Sequence, residues 1–429
     1  MYKVPWGENL KRTLIALMGA LTLVAAGPLA AQAADPTPAQ VQTGFSSSAY
    51  GSYIVNADKS LVSGPTASST ISCTAATGKT SSNNVAATNV PLVGSVGAAQ
   101  TNIKTLLTAT GKRTEANSTI AGATLLGGLI SAGTITSKST ADKSTTGAYS
   151  GTNETTIADL KVLGIAVKAS PAPNTVIDLK DPLLGSLGKV TLNGQEKRLV
   201  NGTYQVATTA IRVQILKAGL PGLNIGTDIR LGVSAAKLTP PQAGYFTGNG
   251  FSTKASLLSG LVKSGATAYA EVKCAGGTST ANVAGASIPG VLTAGAATTN
   301  TNATLTPAPK VTVINTLAGL NVLGGLITAD AIKAETSASR ATAGGTVTLT
   351  DTSTFTNLKI KGLASINASV APNTVVQVAG LGKVTLHKVF KSSSSVAVVM
   401  VEIVLEQALG ALPTGSKIQI GSASSGVHS

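Results

Sequence analysis

The pentapeptide Leu126-Gly127-Gly128-Leu129-Ile130 recurs as Leu323-Gly324-Gly325-Leu326-Ile327. An Ala-Gly pair precedes each copy (Ala121, Gly122; Ala318, Gly319), and a small residue plus alanine follows (Ser131, Ala132; Thr328, Ala329). Further stretches match in the same order. Leu160-Lys161-Val162 corresponds to Leu358-Lys359-Ile360, and Pro173-Asn174-Thr175-Val176 to Pro372-Asn373-Thr374-Val375. Residues 187–192 and 381–386 both read LGKVTL, and Gly226-Thr227-Asp228-Ile229 stands opposite Gly415-Ser416-Lys417-Ile418. The sequence is a tandem duplication. The gaps between matched stretches differ by a few residues, which places the insertions in loops, where added length costs little closure entropy.

Within each copy the apolar residues alternate. Ile211, Val213 and Ile215 are separated by Arg212 and Gln214; the counterpart sets Val399, Val401, Ile403 and Leu405 against Glu402 and Glu406. Period two marks a strand with one buried face. Asn193-Gly194 and Asn201-Gly202 are hairpin signals. Leu320, Leu323 and Leu326 are three apart, but the glycines between them oppose a helix. With aromatics at 3% of the chain, the cores must be filled by small aliphatics. Gly127, Gly128, Gly324 and Gly325 are then expected at a bulge or a close backbone approach. The expected fold is all-β, with two tandem antiparallel β-sandwich or barrel-like domains. Their limits read as 44–236 and 245–423, joined by a Pro240-Pro241 linker over 237–244 and followed by a polar tail over 424–429.

The N-terminus has the three parts of a secretory signal. Lys3, Lys11 and Arg12 precede an apolar run from Leu14 to Ala26, which is too short to span a bilayer, and Ala31-Gln32-Ala33 is an A-x-A site. Residues 1–33 are therefore expected to be removed between Ala33 and Ala34, leaving a mobile leader over 34–43, an extracellular or cell-surface location and no membrane span in the mature chain. The two cysteines, Cys73 and Cys274, open similar small-polar passages and look like one position in two copies. An even count in an exported chain favours a disulfide. Equivalence by duplication keeps a second reading open, two buried inert thiols, because the distance between them depends on how the copies pack.

No catalytic constellation stands out. His387 and His428 are the only histidines; the first replaces an asparagine of the other copy and is expected on a strand surface, with Asp351 or Glu402 as a conceivable neighbour. Asp178 and Asp181 are expected in a turn. Glu402 and Glu406 would lie about 13 Å apart on a solvated strand face at ~3.3 Å per residue, outside the ~5 to 9.5 Å that glycosidases use. The Gly-Gly pairs lack the Lys-Ser/Thr of a phosphate-binding loop, and no Cys or His spacing suggests a metal. Leu412-Pro413-Thr414-Gly415 falls short of a sortase signal and reads as a turn. No cofactor is expected. Of the chain's net charge of +15, +7 falls in the first copy and +6 in the second, without Arg-rich runs or stacking aromatics, which argues against nucleic acid and leaves diffuse attraction to anionic polymers.

The order of LGGLI, the P-N-T-V turn and L-G-K-V-T-L in both copies resembles the secreted actinobacterial proteins grouped as the choice-of-anchor P family. Leu192-Asn193-Gly194-Gln195 is similar to an L-N-x-Q element of that family, from which Leu386-His387-Lys388-Val389 departs. The resemblance implies an exported surface protein and carries no activity. The expected role is a non-enzymatic structural or adhesive protein that binds anionic envelope polymers, or other surface proteins, weakly through a basic surface. The alternatives are a secreted hydrolase of wall or extracellular polymer and a self-assembling matrix or filament component, for which a homo-oligomer is expected.

Overall fold

Both copies of Leu-Gly-Gly-Leu close a hairpin, since Leu125 pairs with Ile130 and Val322 with Ile327. The loop winds left-handed through Leu126, Gly127 and Gly128 at φ 55°, 66° and 94°, and through Leu323, Gly324 and Gly325 at 52°, 65° and 93°. A Cβ on any of these glycines would meet nothing within 4 Å. The expected bulge or close backbone approach is therefore corrected: the glycines are there for a φ that costs an L side chain about 1–2 kcal/mol.

The computed structural model describes residues 42–428 except 56, 58–61, 86, 91–92, 182–184, 218–223, 241–244, 257–262, 265, 275, 289–291, 343–344, 362–365, 369, 380 and 409–413. The expected signal segment, its Ala33/Ala34 cleavage site and most of the leader lie outside these residues. The fold is all-β and antiparallel; among the described residues the one helical segment is the short turn Leu126–Gly128. Among the described residues every sheet is an open path of strands and none closes, which corrects the barrel-like option.

The first half contains a seven-stranded sheet in the order Thr175–Asp181, Gly185–Val200, Thr203–Ile215, Asp228–Thr239, Gly44–Val55, Val62–Ser63, with Ser69–Thr74 also on Gly44–Val55. The second half repeats that order with Thr374–Val378, Gly382–Lys391, Ser395–Leu405, Lys417–His428, Tyr245–Ser256, Lys263–Ser264, and Ala270–Glu271 on Tyr245–Ser256. The hydrogen-bond register repeats as well. Thr191 pairs with Arg212 and Arg212 with Arg230, as Thr385 pairs with Glu402 and Glu402 with Gln419.

Each sheet breaks its pairing along one row. Asn193, Ala210, Gly232 and Gly51 are skipped in the first half, and His387, Met400, Gly421 and Ser252 in the second. Asn193, Gly232, His387 and Gly421 have φ of 49°, 60°, 49° and 63°. The row bends the sheet over its partner, so that a Cβ on Gly421 would come within 2.9 Å of Ile332 Cγ2. Asn193-Gly194 is thus a kink within Gly185–Val200, not a hairpin. Asn201-Gly202 does form the turn, between Val200 and Thr203.

Opposite the first seven-stranded sheet lie a five-stranded and a six-stranded sheet; opposite the second lies one sheet of nine strands. The division comes at the Ala-Gly pairs. Gly111–Ile120 stops before Ala121-Gly122, whereas Lys310–Val322 runs through Ala318-Gly319 with Gly319 unpaired at φ 64°. Cores of Ile, Val, Leu and Ala fill the space between facing sheets, with Phe45 and Phe246 fully buried.

Both halves belong to one compact unit, Gln40–Ser429. Lys237, Leu238 and Thr239 are strand residues, not linker, with Leu238 fully buried against Phe45. Ser424 to His428 likewise complete a strand and are no tail. At the other end Thr43 Oγ1 donates to the Thr239 carbonyl at 2.9 Å, so the last leader residue is pinned.

Candidate functional site

The halves meet through equivalent loops. A Cβ on Gly64 would lie 1.9 Å from the Ala266 carbonyl oxygen, a backbone contact that only glycine permits. Cys274 is disulfide-bonded and packs against Ala75; the chain's other cysteine, Cys73, has its side chain outside the described residues.

Beside this junction is a cleft of about 440 Å³ lined by Tyr50, Tyr53, Arg230, Ala266, Tyr269 and Asn282, among others. Register explains its composition. Tyr53 pairs with Arg230 and Arg230 with Arg212 across three strands of the seven-stranded sheet, so the three side chains share one face. Asp228, two residues before Arg230, receives Arg212 Nε and Nη2 at 2.9 Å each and Arg230 Nη2 at 2.7 Å. Burial alone would raise the Asp228 carboxyl, but hydrogen bonds from both guanidiniums outweigh it and hold the carboxyl below its ordinary value. One carboxylate faces two guanidiniums, so the cluster carries a net positive charge. The Arg230 charge also acts on the Tyr50 phenol, partly offsetting the rise that burial causes, and its guanidinium lies 6.0 Å from the Tyr53 ring centroid. Tyr269 closes the other wall; burial, aided by Glu271, pushes its phenol up.

The matching row of the second half holds Lys254, Gln419 and Glu402. Glu402 was expected on a solvated face; its side chain is only 5% exposed. Its Oε1 accepts from Lys388 Nζ at 2.6 Å and its Oε2 from Gln419 Nε2 at 2.9 Å, with Lys417 Nζ at 3.7 Å. Burial would raise this carboxyl too, and the hydrogen bonds from Lys388 and Gln419 hold it down. Glu406 lies beyond the strand end and is exposed, so the two glutamates do not form a pair.

His387 corrects another expectation: it is buried, 7% exposed. It occupies the left-handed kink where the first half has Asn193, and both hold the preceding P-N-T-V turn. Asn193 Nδ2 donates to the Pro171 carbonyl at 2.8 Å, and His387 Nδ1 lies 2.5 Å from the Val370 carbonyl. Asn174 and Asn373 answer by accepting the Gln195 and Val389 amides. The larger imidazole also reaches Asp351 Oδ2 through Nε2 at 2.7 Å, the neighbour its sequence suggested. Both ring nitrogens are taken up by the Val370 carbonyl and Asp351, so the buried ring ties two segments of the fold together.

His428 lies between Thr247 Oγ1 (2.8 Å) and Ser394 Oγ (3.2 Å), which sequence spacing could not bring together. Burial and then the nearby Arg340 charge lower its pKa. A cation there is the opposite of the carboxylate that orients a catalytic histidine. Asp178 lies in the strand Thr175–Asp181, not in a turn, paired with Lys189. Thr414-Gly415 is the turn expected of the LPTG segment, whose Leu412 and Pro413 lie outside the described residues.

A second groove, also about 440 Å³, crosses Gly111–Ile120, Ile135–Ser144 and Tyr149–Ile157. Its charges answer one another: Arg113 Nε bonds Asp142 Oδ1 at 2.7 Å, and Lys138 pairs in register with Glu154. The junction cleft is therefore the better candidate for a charged ligand. Among the described residues no group of three or more His, Cys, Asp or Glu is placed to hold a metal ion, and no helix is long and apolar enough to cross a membrane. No protein-family model, curated protein or solved structure matches the chain.

Proposed function

We propose that this is an exported, non-catalytic structural or adhesive protein of the bacterial cell envelope, in line with its resemblance to the choice-of-anchor P family. It holds anionic polymers weakly through its basic surface. One observation carries the reading: on the described surface, exposed lysines such as Lys104, Lys161, Lys197, Lys310, Lys359 and Lys391 outnumber exposed carboxylates and are distributed over both halves. Such charges act additively and at long range, and two halves presenting them together raise avidity without new chemistry. Salt must weaken the attraction, because the screening length falls from about 30 Å at 0.01 M to about 3 Å at 1 M.

The test is co-sedimentation of the protein with isolated envelopes over a salt series. Binding at low salt that is lost at high salt supports the reading; no binding at low salt, or binding indifferent to salt, ends it. Self-assembly is a second reading, favoured by the edge strands Thr175–Asp181 and Thr374–Val378, which expose Val176 and Val375 by 56% and 51% at matching positions. Light scattering that stays monomeric at high concentration would dismiss it.

A further inference from the structure

We infer that the cleft between the halves binds a carboxylated sugar ring, a uronic acid unit of an acidic polysaccharide. The inference rests on the envelope-binding reading for the source of the ligand, but on the cleft's own geometry for its chemistry.

Three observations converge. In a chain with only 3% aromatics, Tyr50, Tyr53 and Tyr269 line one cleft, and the Tyr50 and Tyr53 rings are tilted at 60° with centroids 6.1 Å apart. A tilted pair bordering a cleft offers aromatic faces to the C–H face of a pyranose. Arg230, which shares the single carboxylate of Asp228 with Arg212, lines the same space and is 37% exposed. A guanidinium in a partly desolvated site prefers a carboxylate that can take two of its N–H groups. Asn282 and Thr280 complete the lining with an amide and a hydroxyl able to bond sugar hydroxyls. The volume of about 440 Å³ falls among small-ligand sites, which span roughly 300–1,000 Å³.

The second half has no such cleft chemistry at the equivalent row. Lys254 replaces Tyr53, Gln419 replaces Arg230, and Phe251 replaces Tyr50 in register. Duplication created two candidate sites, and only one acquired the aromatic and guanidinium pair.

Calorimetry of the full chain with trigalacturonate and with its methyl ester tests the assignment. The ester keeps the rings and removes the charge. The acid should bind saturably and the ester roughly tenfold or more weakly, the size of one lost charge-assisted contact. Arg230→Gln should reduce acid binding by a similar factor while Arg212 still holds Asp228. Tyr53→Ala should weaken acid and ester alike by about fivefold. Lys138→Ala, in the other groove, should change neither. Absence of saturable acid binding, equal affinity for acid and ester, or an unaffected Arg230→Gln variant would overturn the assignment. Envelope sedimentation of the same samples separates the two claims. Envelope binding without acid binding removes the cleft alone; acid binding without envelope binding leaves the cleft and removes adhesion.

Discussion

Where the first half buries Thr208 and Ser234 between its sheets, the second buries Val398 and Ala423 at the same register positions. In the first half Ser139 Oγ lies 2.8 Å from Thr208 Oγ1 and 3.0 Å from Ser234 Oγ, and this hydroxyl layer divides the apolar core into two clusters. In the second, Thr336 takes the place of Ser139 and bonds Ser425 instead, and the apolar core is continuous. The backbone ladder is indifferent to the exchange. Strand register depends on main-chain hydrogen bonds and on which face is buried, whereas the filling is free to be polar provided each hydroxyl finds a partner. The same contrast sets Arg212, Asp228 and Arg230 against Glu402, Lys417 and Gln419, where an arginine gives way to a glutamate and an aspartate to a lysine at matching positions on one framework.

The largest effect is expected where the halves agree. Gly421→Ala forces a side chain into φ 63° with Ile332 Cγ2 at 2.9 Å, and should cost about 2–4 kcal/mol. Gly232→Ala meets Ala210 Cβ at 3.1 Å and Ile135 Cγ2 at 3.2 Å, and should cost about 1–3 kcal/mol. Urea unfolding measures both; a neutral result at either glycine would mean the shared bend is not needed.

Smaller effects should separate the halves. Ser139→Ala removes the bridge between two buried hydroxyls and should cost about 1–2 kcal/mol, while Thr336→Ala, with Ser425 still donating to the Thr336 carbonyl, should cost under about 1 kcal/mol. Equal costs would erase the distinction between a hydroxyl layer and a continuous core.

The carboxyls of Asp228 and Glu402 both lie below their ordinary values, so each favours the folded state when ionised. That stability is complete above the unfolded range near pH ~4 and is lost as pH falls through the lower folded values. Asp228→Asn and Glu402→Gln should each flatten the acid limb of a stability profile, and an unchanged limb would show that the cluster is not coupled to folding.

The smallest effect belongs to His428. Its lowered pKa favours the neutral folded state, so stability is full above the unfolded value of about 6.5 and declines as pH falls through the folded one. His428→Gln should remove that decline in thermal melts between neutral and mildly acid pH.

Much of the architecture was legible in the sequence. LGGLI, repeated with its Ala-Gly pair, marked equivalent hairpins, and the alternation around Ile211 and Val401 marked strands. The pairing gaps were not, because Asn193-Gly194 is locally identical to a turn signal and only the neighbouring strands, with Gly232 opposite, make it a kink. Burial of Glu402 was hidden for a related reason. Alternation distinguishes two faces of a strand but cannot say that Lys388, Lys417 and Gln419 converge from adjacent strands to cover the polar one. The cleft was less visible still, since Tyr53 and Arg230 are brought together by register, and Tyr269 by the packing of one half on the other.

Residue-resolved hydrogen exchange of the intact protein tests the shared framework most directly. Amides of Thr203–Ile215 and Asp228–Thr239 should be protected in the same sequence of strong and weak positions as those of Ser395–Leu405 and Lys417–His428, with the skipped rows at Ala210, Gly232, Met400 and Gly421 weakest in both. Protection in one half that bears no positional relation to the other would contradict a common register.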